Sequence, residues 1–163
     1  MIGQVVHPYN LQKALEQVIA NKGSAGIDGM KTTELTEYLR ENKLHILQTV
    51  KQGKYRPQAI LGVEIPKANG KSRLLGIPTV TDRLLQQAVS QVVMPKFENG
   101  FSAYSYGFRP NRNARQAVGK ALEYIHEGYS FIVDIDLKTF FDEVDHCLLL
   151  NLLYQKVKCQ ITL

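Results

Sequence analysis

A chain of 163 residues with 44% hydrophobic and 21% charged side chains has the make-up of one globular domain with a core, which excludes a disordered or fibrous protein. Its 20 lysines and arginines against 15 acids leave a net charge of +5, which favours an anionic partner without demanding a nucleic acid. Cys147 and Cys159 lack metal-ligand spacing and read as reduced thiols of a cytosolic protein, no apolar run approaches the roughly 18 residues of a membrane span, and no secretion signal is visible.

Leu11, Ala14, Leu15, Val18 and Ile19 follow the helical period, with Asn10 as the expected cap and Gly23 as the expected stop. Glycine content makes Gly23–Gly29 a loop. Thr33 opens a second helical region with Leu35, Tyr38 and Leu39 on one face; the pattern slips at Asn42, which admits two helices reaching Val50. Ile60–Ile65 and Ser72–Ile77 read as strands joined through Asn69-Gly70, a β-hairpin. Thr81 is the expected cap of a helix with Leu84, Leu85, Ala88, Val89, Val92 and Val93 inward, stopped by Pro95. Residues 99–112 are irregular. A clean stripe of Ala114, Ala117, Val118, Ala121, Leu122 and Ile125 then marks a helix with a capping box at Asn113 and Gln116 and a stop at Gly128. A strand over Phe131–Leu137 and a last helix holding Leu148, Leu149, Leu152 and Leu153 complete the chain. A half-finished arrangement of this kind reads as part of a larger fold.

Three segments carry chemistry. Along the last expected strand, Phe131, Val133, Ile135 and Leu137 share one face and Asp134 and Asp136 the other. Two acids at a strand end suit Mg²⁺, which takes one or two carboxylates plus substrate phosphates; an edge strand with a solvated acidic face has the same pattern. Lys67, Lys71 and Arg73 cluster at the hairpin tip. Such a tip can clamp a triphosphate, although spacing alone favours the protective role lysine plays on edge strands. Phe101–Arg112 interleaves aromatics with arginines, which fits base stacking with phosphate contact and fits a packed loop equally well.

In order along the chain stand Gly23-Ser24-Ala25-Gly26-Ile27-Asp28-Gly29, Tyr55-Arg56-Pro57, Ile65-Pro66-Lys67, Gly70-Lys71-Ser72-Arg73-Leu74-Leu75-Gly76-Ile77-Pro78, Asp82-Arg83-Leu84-Leu85-Gln86-Gln87-Ala88, Ser105-Tyr106-Gly107-Phe108-Arg109-Pro110 and Asp136-Leu137-Lys138-Thr139-Phe140-Phe141-Asp142. Each is weak alone. Together and in this order they resemble the bacterial group II intron reverse transcriptases, over most of the chain.

The resemblance implies an α+β fold, the fingers and partial palm of a right-hand polymerase, with residues 1–127 as N-terminal region and fingers and 128–163 as the start of the palm. It implies an RNA-directed DNA polymerase that uses two Mg²⁺ ions in the complete enzyme. Asp136 becomes the catalytic, metal-binding aspartate, with the Leu137 backbone carbonyl beside it and Asp134 an auxiliary acid at most. Lys67 and Arg73 become triphosphate contacts, and Phe140 or Phe141 the ring beneath the incoming sugar. Lys71, Tyr106, Arg109 and Arg112 face nucleic acid. The implied partners are RNA template, DNA primer, deoxynucleoside triphosphates and intron RNA, in a bacterial cytoplasm, with no membrane. The family completes its metal site with a Tyr-Ala-Asp-Asp segment, which this sequence does not contain, so an engineered fragment or a truncated gene, inactive alone, is expected. An exposed apolar palm face would drive self-association. The alternative is a non-catalytic RNA-binding or maturase-like module that assists splicing.

Overall fold

Leu11, Ala14 and Val18 recur at helical spacing, and Pro8–Ala20 forms a helix, α2, that buries all three. The computed structural model describes residues 1–66, 70, 72–160 and 162. A four-residue helix, α1 (Ile2–Val5), precedes α2. The cap of α2 is His7, whose Nδ1 accepts the Tyr9 N–H at 3.3 Å, with Pro8 in the first turn, where its missing N–H costs nothing. Asn10, the expected cap, lies inside the helix, which closes at Asn21, ahead of Gly23.

A 3₁₀ turn at Thr32–Glu34 leads into α3 (Leu35–Lys51). This is one helix where the slip at Asn42 admitted two: Asn42 Nδ2 donates to Tyr38 O at 3.0 Å, so the polar residue bonds back one turn and the helix continues.

The hairpin forms as expected, β1 (Leu61–Pro66) pairing antiparallel with β2 (Ser72–Ile77) from Leu61↔Ile77 at its base to Pro66↔Ser72. The expected tip residues Lys67, Asn69 and Lys71 lie outside the described residues.

Helix α4 (Val80–Glu98) starts at Thr79, not Thr81: Thr79 Oγ1 accepts the Asp82 N–H at 3.2 Å, while Thr81 is buried in the first turn. Pro95 does not stop it; the ring forfeits one backbone bond and the helix closes a further turn.

Helix α5 (Ala114–His126) carries the expected capping box, Asn113 and Gln116 exchanging two 3.0 Å bonds, and ends before Gly128 at φ 99°. Asp145 Oδ1 accepts the Leu148 N–H at 2.9 Å at the start of α6 (His146–Val157).

The strand expected over Phe131–Leu137 does not form. The segment belongs to neither strand nor helix, and residues of both parities stand in solvent, Phe131 at 95% and Ile132 at 81% exposure. A strand exists only through a neighbour that accepts its backbone bonds. Among the described residues the single sheet is the hairpin, so the alternation has nothing to pair with. The described residues are thus an α+β chain of six helices and one two-stranded sheet.

The chain forms two compact units, Met1–Met94 with Val157–Leu163, and Pro95–Lys156. In the first, Val5, Val6, Leu11, Ala14, Val18, Leu35, Val80, Leu84 and Ala88 form the core. A polar clamp fixes α2 to α4: Asn10 Nδ2 donates to Val5 O and Ala88 O, and Gln91 Nε2 donates to Asn10 O and Oδ1, all at 2.8–3.0 Å. In the second unit, the expected inward stripe of α5 is helical but uncovered, with Val118, Leu122 and Ile125 about half exposed, as are Leu148, Leu149 and Leu152 of α6.

Candidate functional site

Residues directly opposed in an antiparallel pair project to one face. The register therefore places Arg73, opposite Ile65, on the same hairpin face as the pairs Val63↔Leu75 and Leu61↔Ile77. Arg73 is exposed at the outer end of an apolar ladder. The expected companions Lys67 and Lys71 lie outside the described residues.

The hairpin's roots meet a buried carboxylate. Asp82, in the first turn of α4, is 4% exposed. Its Oδ1 accepts the Tyr55 hydroxyl at 2.7 Å; its Oδ2 accepts the Thr79 hydroxyl at 2.7 Å and the Gln58 backbone N–H at 3.1 Å. Burial, the bond to Asp82 and its negative charge together push the Tyr55 phenol well above its usual range.

The glycine loop docks on the same node. A Cβ on Gly26 would lie 2.7 Å from Thr79 Cα and 2.9 Å from Pro78 O, so only glycine lets the loop back onto the hairpin's exit. Arg83 Nη2 donates to Ser24 O at 2.5 Å, and its guanidinium fills the space a Gly23 side chain would need. Four sequence motifs thus converge on Thr79–Arg83: the glycine loop, Tyr55-Arg56-Pro57, Gly76-Ile77-Pro78 and Asp82-Arg83. Sequence reasoning gave Tyr55, Thr79 and Asp82 no role. The signal was present as Thr-x-x-Asp ahead of an apolar run, a helix-start pattern.

In the second unit, Arg109 braces the aromatic loop. Its Nε and Nη2 donate to Glu98 Oε1 at 3.1 and 2.7 Å, and its Nη1 donates to Ser102 O and Ser105 O at 2.7 and 2.9 Å. The guanidinium lies 5.3 Å from the Phe101 ring centroid, with the side chain 9% exposed. These donors are spent inside the loop. Arg112 stacks over Tyr106 at 5.3 Å, both half-buried. The aromatics here do not fill a core: Phe101 is nearly half exposed, Tyr104 more than half, and Phe108, at φ 55°, fully so.

Asp134 and Asp136 are both exposed on the irregular segment, followed by a turn at Thr139 (φ 51°) that presents Phe140 and Phe141 edge to face at 5.3 Å. Among the described residues no three His, Cys, Asp or Glu side chains come together as metal ligands. Without the strand, nothing holds the Asp134 and Asp136 carboxylates on one face; an exposed carboxylate here suits Mg²⁺ only as one ligand of an ion completed by phosphates and water.

The description "Reverse transcriptase (RNA-dependent DNA polymerase)" belongs to the family profile that matches residues 65–162, from the end of β1 through the acidic segment and α6. The chain belongs to this reverse transcriptase family. Protein YkfC of Escherichia coli K12 is 32% identical over 159 residues, covering 94% of this chain and 42% of that protein. The group II intron-encoded protein LtrA of Lactococcus lactis subsp. cremoris is 36% identical over 146 residues, covering 89% of this chain and 24% of LtrA. A putative COX1/OXI3 intron 2 protein of Saccharomyces cerevisiae is 30% identical over 140 residues, covering 85% of this chain and 15% of that protein. The chain thus spans less than half the length of these curated relatives, and its resemblance to group II intron reverse transcriptases holds at the level of family and relatives.

Proposed function

We propose that this chain supplies the fingers (within 1–127) and the first part of the palm (128–163) of a group II intron-type RNA-directed DNA polymerase. The match of the family profile from residue 65 to 162 carries this reading. In it, Lys67 and Arg73 offset the charge of a deoxynucleoside triphosphate. Asp136, with the Leu137 carbonyl and at most Asp134 beside it, offers oxygen to Mg²⁺. When bound, such an ion would neutralise phosphate charge. Phe140 or Phe141 packs under the incoming sugar. Lys71, Tyr106 and Arg112 face template or primer, and Arg109 holds the Phe101–Arg112 loop in shape. Intron RNA in a bacterial cytoplasm is the proposed setting. The exposed apolar side chains of α5 and α6 support self-association of the isolated chain.

The test replaces the matching N-terminal part of LtrA with this chain and measures primer extension on an RNA template with Mg²⁺ and deoxynucleotides. The chimera is expected to extend and to lose extension on Asp136→Ala, while the chain alone does not extend. A folded chimera that binds RNA without extending primer would instead favour the RNA-binding, maturase-like reading. Absence of RNA binding at low salt would remove both.

A further inference from the structure

Asp82 grips both legs of the hairpin. Gln58, whose N–H it accepts, is three residues before β1 begins at Leu61, and Thr79, whose hydroxyl it accepts, is two residues after β2 ends at Ile77. Tyr55 adds a third bond from the entry side. Capping α4 needs only the exchange between Thr79 and Asp82. The bonds to Tyr55 and Gln58 exceed that need and tie in the segment ahead of the hairpin. Gly26 closes on Pro78 and Thr79, leaving the exit leg little room to shift.

The hairpin beyond these roots has little else to orient it. Val63, Leu74 and Leu75 are exposed, and an isolated two-stranded hairpin is marginal in water. Arg73 lies four residues along β2 from Ile77, about 14 Å at roughly 3.4 Å per residue. A tilt of about 10° at the base would carry Arg73 through roughly 2.5 Å by that lever arm. A misplacement of about 1 Å at a reacting site can cost on the order of a hundredfold.

We propose that Asp82, working with Tyr55, is a positioning residue that sets the angle of the β1–β2 hairpin and thereby the place of Arg73 relative to a bound nucleoside triphosphate. Neither side chain touches the nucleotide; both act through the hairpin's roots. The nucleotide part rests on the reading above that Arg73 contacts the triphosphate.

The experiment uses this chain with Tyr55→Phe, which keeps the ring and removes only the hydroxyl, and Asp82→Asn as the stronger variant. Amide hydrogen exchange is compared between the hairpin strands and the α2 and α3 core, and affinity is measured for deoxythymidine triphosphate with Mg²⁺. Tyr55→Phe is expected to speed hairpin exchange about 3–10-fold, with α2 and α3 unchanged, and to weaken nucleotide affinity by a similar factor. Combined with Arg73→Ala, it should weaken affinity no further than Arg73→Ala alone. Unchanged hairpin exchange, or exchange that rises equally in α2 and α3, would overturn the proposal, as would additive losses in the double variant. If Arg73→Ala leaves affinity unchanged, or the wild-type chain binds no nucleotide, the triphosphate reading fails by itself. Faster exchange confined to the hairpin would then still establish the anchor.

Discussion

Arg109→Ala separates a brace from a nucleic-acid contact. The guanidinium makes four hydrogen bonds, two to Glu98 and two to the Ser102 and Ser105 carbonyls. Breaking a fully buried ion pair from one side costs about 3–5 kcal/mol. The Glu98 side chain is 30% exposed rather than fully buried, so the loss here falls nearer the about 1.5–3 kcal/mol of hydrogen bonds to a charged group. At about 1.4 kcal/mol per decade, local opening of the loop becomes roughly 10–150 times more frequent. The amides that report it are Tyr104, which donates to Ser102 Oγ, Ser105, which donates to Ser102 O, and Arg112, which donates to Arg109 O. Hydrogen exchange at these amides should accelerate by that factor while α2 and α3 hold. In parallel, single-stranded RNA binding is followed from about 50 to 200 mM salt. Arg109→Ala should leave the salt slope near its wild-type value, whereas Arg112→Ala should reduce it by about 0.7, the share of one phosphate contact. Unchanged exchange together with a slope reduced by Arg109→Ala would show that the guanidinium leaves Glu98 for a phosphate and does not brace the loop.

Two further outcomes follow from the first unit. Gly26→Ala sets a methyl against the Thr79 backbone, which cannot yield as a flexible side chain would, so a loss of about 1–3 kcal/mol is expected, seen as a melting temperature lower by roughly 3–10 °C; an unchanged melt would mean the loop does not pack there. Tyr55 keeps its proton in the folded chain at pH values where the unfolded chain loses it. Its contribution is therefore complete below the ordinary phenol value of about 10 and declines as pH rises above it. Wild type should lose stability more steeply than Tyr55→Phe in denaturant titrations between about pH 9.5 and 11, and parallel slopes would contradict the buried Tyr55–Asp82 bond.

Local rules were enough for the elements whose bonds close within themselves. Helix α5 with its Asn113–Gln116 box, the Gly128 stop and the hairpin each follow from side chains a few residues apart, because capping and turn geometry are short-range. The order of the motifs was legible in the same way and led to the family. Boundaries slipped where a local partner competed with the period: His7 rather than Asn10, Thr79 rather than Thr81. The Phe131–Leu137 strand failed for a different reason, since alternation names the faces of a strand but cannot supply the neighbour that makes it one. Arginine among aromatics pointed equally to nucleic acid and to a packed loop. Only the three-dimensional path shows the Arg109 fork turned onto Glu98. Likewise Tyr55, Gln58, Thr79 and Asp82 are separated by as many as 27 residues. Periodicity reports which side of an element is apolar, whereas a buried carboxylate chooses its donors by where the whole chain brings them.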